Sequence, residues 1–149
     1  MTPSQVGIDV YTSFGAACIV AGGLVAAITG PLDLAKGSWL AAYLVLVCGV
    51  ALIAIGAAQQ HLPAPVSAPL QIVQLSGWTV ANAAVIVGSL LGSTVTVNAG
   101  SVVLLVVLAL TGWFGRALVN TRHVLAYAYL AILVVLVVSV PIGMVLGAR

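Results

Sequence analysis

From Trp39 to Ala58 the chain carries no charged and no amide side chain. That run is long enough to cross a bilayer as a helix, which takes about 20 apolar residues. Comparable stretches recur at Tyr11 to Ile28, Leu70 to Leu91, Asn98 to Gly115 and Leu125 to Leu146. Hydrocarbon offers the backbone no hydrogen bonds, so a spanning segment is either an α-helix or a strand of a closed barrel. Barrel strands alternate apolar and polar residues over about 10 positions. The run from Val102 to Leu110 does not alternate. The expected fold is therefore all-α: a polytopic transmembrane bundle of five helices forming a single domain over residues 1–149.

Charge supports the same reading. Lys and Arg number 4, Asp and Glu 2, and charged residues make up 4% of the chain against 63% hydrophobic. A soluble domain carries about 25% charged residues. Six charges cannot cover its surface, and disorder needs low hydrophobicity, so both alternatives fail. A net charge of +2 supplies neither the basic stripe of a nucleic-acid binder nor a polybasic lipid-binding patch. The opening residues lack a basic region before the first apolar stretch, so that stretch is expected to be retained as an anchor helix.

The connections are short. Gly30-Pro31 terminates the first stretch, and Ser38 is positioned to cap the second. Pro63, Pro65 and Pro69 keep the loop from Gln59 to Pro69 extended. Gly92 to Val97 joins the third and fourth stretches, and Arg116 to Val124 the fourth and fifth. With five spans, Arg116 and Arg122 share one side and Lys36 and Arg149 the other. The paired arginines lie in one loop without an acid, which places them and the amino terminus inside. If Leu70 to Leu91 does not span, four helices remain, and Lys36, Arg116 and Arg122 gather on one side.

The third stretch carries a polar stripe. At 100° per residue, Gln71, Gln74, Trp78, Asn82 and Ser89 fall within about 80° of one another. Lipid cannot satisfy amides and hydroxyls. The stripe is expected to face other helices as interhelical glue, or a partner subunit, or a solute path. On the first stretch, Cys18, Gly22, Ala26 and Gly30 recur at four-residue spacing, and Gly15 and Gly23 add further small surface, which lets backbones approach closely. Gly143 and Gly147 do the same on the fifth, after Pro141, which is expected to kink that helix near Val137.

Cys18 and Cys48 each lie near the middle of a stretch. Two buried free thiols are the expectation, with a disulfide or soft-metal pair as the alternative. His61 and His123 are read as loop histidines, and only a haem-binding role would use them. Asp9 and Asp33, the only acids, sit near the membrane surfaces. Proton relays and charge-coupled transport mark themselves with ionisable residues inside the membrane, and hydrolysis needs a nucleophile with a base or a metal. The expectation is a non-enzymatic protein with no catalytic residue, no metal and no cofactor.

The run Gly37-Ser-Trp-Leu-Ala-Ala-Tyr-Leu-Val-Leu-Val-Cys-Gly49, continued by Asn98-Ala-Gly100 and on to Trp113, resembles NnrS-like membrane proteins, distant relatives of haem-copper oxidase subunit I. That resemblance implies a histidine ligand near Ala42 or Tyr43, and this sequence has none there. It therefore implies a shortened relative without metal ligands, at home near respiratory complexes. The expectation is an accessory or scaffolding subunit in a bacterial inner membrane, in contact with lipid and with other membrane subunits or further copies of itself. The alternative is a small-solute or lipid transporter or channel working as an oligomer.

Overall fold

A computed structural model describes residues 3–59, 66–119, 131 and 133–138. Its helices are α1 (Pro3–Thr29), α2 (Gly37–Gln59), α3 (Ala68–Leu91) and α4 (Thr94–Val119), followed by a helical segment over residues 133–138. No strand occurs among the described residues. Each of the four named helices is long and apolar enough to cross a membrane. Ala68–Leu91, the stretch whose span was open to question, is one of them. Most of the fifth expected stretch, Leu125 to Leu146, lies outside the described residues.

The chain divides into two compact units, Met1–Ala57 and Ala58–Arg149. In the first, α1 and α2 run antiparallel, and glycine sets their separation. A Cβ on Gly56 would meet the Tyr11 side chain at 2.7 Å. One on Gly15 would lie 2.9 Å from the Gly49 carbonyl oxygen, and one on Gly22 2.9 Å from that of Ala41. Any side chain at Gly15 or Gly22 would drive the helices apart. The middle of α2, Leu44–Ala51, is wound as a π-helix. Such wide turns are rare and concentrate at functional sites.

Between α1 and α2 the backbone turns within seven residues. Asp33 takes a left-handed φ of 48°, which its short polar side chain tolerates. Leu34 N–H donates to Thr29 O at 3.0 Å, and Gly37 N–H to Leu34 O at 2.9 Å. Ser38 does not cap the helix that follows. α2 already begins at Gly37, with Lys36 in the capping position and no side-chain cap. Leu34 O has satisfied the first donor, and Gly37 fits directly against Thr29.

In the second unit α3 and α4 form an antiparallel hairpin. Ser67 precedes α3 and Pro69 lies in its first turn, where proline's missing N–H costs nothing. The connection to α4 is two residues, not the six from Gly92 to Val97. Gly92 takes φ 70°, the left-handed residue that ends many helices. Ser93 N–H then donates back to Gly88 O at 2.8 Å. Ser93 also opens α4, because its hydroxyl accepts from Thr96 N–H at 3.4 Å and pairs with the Thr96 hydroxyl at 2.8 Å. The cap recruits the β-branched run Thr94 to Val97 into the helix, four residues ahead of the expected start at Asn98.

The hairpin again rests on glycine. A Cβ on Gly88 would meet Val97 N at 2.8 Å, and one on Gly100 would meet Ala81 O at 2.8 Å. Leu104 and Leu108 are buried below. Leu133, on the helical segment 133–138, packs beside Gly112.

Candidate functional site

Helix α3 buries Gln74, Trp78, Ala81, Asn82, Val85 and Gly88. The buried face and the polar stripe therefore coincide over three of the stripe's five residues. Gln74, Trp78 and Asn82 are 3%, 2% and 3% exposed, while Gln71 and Ser89 are half-buried. Ile72, Val73, Val80 and Val87 fill the exposed side.

Helical geometry supplies most of the partners. Asn82 Nδ2 donates to Trp78 O, one turn earlier, at 2.8 Å. Gln74 Oε1 accepts from Gln59 Nε2 at 3.0 Å. Gln71 Nε2 donates to Val66 O at 3.0 Å and ties down the entry to the helix. Thr79 and Thr111 return their hydroxyls to Leu75 O and Val107 O, at 2.8 and 2.7 Å. This back-bonding lets a hydroxyl sit in a spanning helix without a partner helix. Trp78 Nε1 and Asn98 Oδ1 are buried with no hydrogen-bond partner among the described residues. At 2–3% exposure, Gln74, Trp78 and Asn82 face the interior of the chain. Amides, hydroxyls and an indole provide no acid or base.

The small residues of α1 divide. Gly15 and Gly22 lie in the α1–α2 seam, and Cys18 is half-buried beside them. Ala26 does not join them: it is exposed, because at that end the seam runs through Val25 and Thr29. Gly30 likewise faces open space. Cys18 and Cys48 are free thiols. Gly143, Gly147, Pro141, His61 and His123 lie outside the described residues.

Several packing glycines were not singled out from sequence: Gly49 and Gly56 on α2, Gly88 on α3 and Gly100 on α4. Their signal was available as spacing. Gly49 and Gly56 stand seven apart, and Gly77, Ala81, Ala84 and Gly88 follow the four-three-four rhythm of one helix face.

The outer surface is apolar. Val20, Leu24, Leu46, Val50, Val80, Val102 and Val106 are all exposed, while Gln74, Asn82, Ser101 and Thr111 are buried. Exposed aliphatic side chains on each unit, beside buried amides and hydroxyls, suit lipid better than water. Amides turned inward, aliphatic side chains turned outward, and four helices of spanning length are the features of a multi-pass α-helical membrane protein. Trp39 and Tyr43 stack with ring centroids 5.3 Å apart near the start of α2, where an interfacial aromatic belt is expected. No family model, curated protein or solved structure matches the chain.

Proposed function

We propose that this protein is a non-enzymatic accessory or scaffolding subunit, seated in a bacterial inner membrane and packed against a larger membrane complex. The outward face of α1 carries the proposal. Only 11% of the α1 span is buried within the chain, against 39% of the α2 span. On its open side Ala16, Gly23 and Ala27 are all exposed, within about 40° of one another on the helix. A Cβ on Gly23 would touch nothing within 4 Å among the described residues. Glycine weakens a helix by about 1 kcal/mol relative to alanine. Its use on an open face suits close approach by another helix, since lipid gains nothing from it. The resemblance to NnrS-like proteins favours a respiratory membrane as the setting.

Native mass spectrometry from mild detergent tests the proposal. The expected species contains this chain with a second polypeptide at fixed stoichiometry. Gly23→Leu should lower that species about tenfold, equivalent to ~1.4 kcal/mol. A monomer in every detergent, or a Gly23→Leu complex as abundant as wild type, would refute it. A second reading, an oligomeric path for small solutes, is favoured by the buried polar residues Gln74, Asn82, Ser101 and Thr111 on α3 and α4. A homo-oligomer with no second polypeptide would support that reading instead.

A further inference from the structure

We propose that Cys18 and Cys48 are a dithiol pair that closes to an intramolecular disulfide across the α1–α2 seam, a redox-sensitive clasp on the first helix pair. The inference is independent of the subunit role proposed above. It stands on register. Gly15 meets Gly49 on one side of the pair, and Gly22 meets Val45 and Ala41 on the other, each as a contact at or near van der Waals limits. Cys18 lies between Gly15 and Gly22 on α1, and Cys48 lies between Val45 and Gly49 on α2. The antiparallel run therefore brings residues 18 and 48 to one level, between the two close approaches at Gly15–Gly49 and Gly22–Ala41.

A disulfide needs Cα atoms within about 4.4–6.8 Å, and with each Cα about 2.3 Å from its axis, facing residues reach that range where helices pack within the ~8–10 Å separation of close pairs. Glycine contacts on both sides supply that closeness. Cys48 is buried within the π-helical stretch, and Cys18 is half-buried, so an oxidant reaches Cys18 first.

The apolar setting selects the chemistry. Two thiolates give a divalent metal only two of the four ligands that Zn²⁺ takes, and with a monovalent soft ion they leave a net negative charge in hydrocarbon, which is costly. A disulfide is neutral. The oxidant must be uncharged, bilayer-soluble and able to accept two electrons. With an uncharged diazene, the Cys18 sulfur adds to the N=N bond. The Cys48 sulfur then attacks the Cys18 sulfur and expels the hydrazine. Two S–H bonds break and one S–S bond forms. Both hydrogens and both electrons leave on the hydrazine.

The test treats the full-length protein in native membranes with diamide, then denatures it and alkylates it with N-ethylmaleimide. Reduced protein should take two adducts. Oxidised protein should take none, weigh about 2 Da less than the reduced, unalkylated chain, migrate as a monomer, and yield a Cys18–Cys48 cross-linked peptide that a reductant releases. Cys18→Ser and Cys48→Ser should each abolish the cross-link. Two adducts after oxidation, or a dimer joined through Cys18 of two chains, would overturn the proposal.

Discussion

Gly15 and Gly49 meet backbone to backbone: a Cβ on Gly15 would lie 2.9 Å from the carbonyl oxygen of Gly49, and a Cβ on Gly49 3.0 Å from that of Gly15. The obstructing atoms are main chain and cannot rotate away. Gly15→Leu should therefore destabilise the helix pair by about 1–3 kcal/mol, the usual cost of overpacking. Gly23→Ala, which meets only open space, should be neutral or stabilise the isolated chain by up to ~1 kcal/mol. Unfolding in mixed SDS micelles, followed by circular dichroism, measures both. Equal losses at positions 15 and 23 would contradict the assigned seam.

The Gln59–Gln74 hydrogen bond at 3.0 Å is a side-chain pair inside a spanning bundle. Coupling between such pairs averages about 0.6 kcal/mol, because the unfolded chain in the membrane also finds partners. A double-mutant cycle with Gln59→Leu and Gln74→Leu should return a value of that size. Asn82→Leu should cost ~1 kcal/mol or less by the same reasoning. A coupling indistinguishable from zero would mean that the two amides do not meet.

The α3–α4 turn depends on two adjacent residues. Gly92→Ala should cost about 1–2 kcal/mol, because alanine is strained in the left-handed conformation that Gly92 adopts. Ser93→Ala should cost ~1 kcal/mol through loss of the cap. Thermal melts in detergent read both, and wild-type stability in Gly92→Ala would contradict the turn geometry.

The spans were legible in sequence because lipid removes alternatives: long apolar runs without alternation can only be helices. The boundaries were less so. Thr94 to Val97 is β-branched, and its helical state follows from Ser93 acting at once as terminator and cap, a dual role visible only once both helices are placed. The polar stripe was legible as a shared face, and burial then separated Gln74, Trp78 and Asn82 from Gln71 and Ser89. On α1 the seam with α2 follows Tyr11, Gly15, Gly22 and Thr29 and leaves Ala26 exposed; a four-residue repeat marks small residues without saying which neighbour they meet. That distinction depends on which side α2 approaches, which α1 alone does not encode.

If Ala68–Leu91 crosses the bilayer, its two ends face opposite compartments. Ser67→Cys and Ser93→Cys, each in a background with Cys18 and Cys48 replaced by alanine, should react with a membrane-impermeant maleimide from opposite sides. Labelling of both from one side would show that α3 does not span.

The most direct test of the subunit proposal is a photoreactive amino acid placed at Ala27, on the open face of α1, and irradiated in native membranes, with Ile72 on the exposed side of α3 as the reference. Position 27 should form one discrete cross-link to a different polypeptide, and position 72 should give lipid adducts. Lipid adducts alone at position 27, or a cross-link only to a second copy of this chain, would contradict the account.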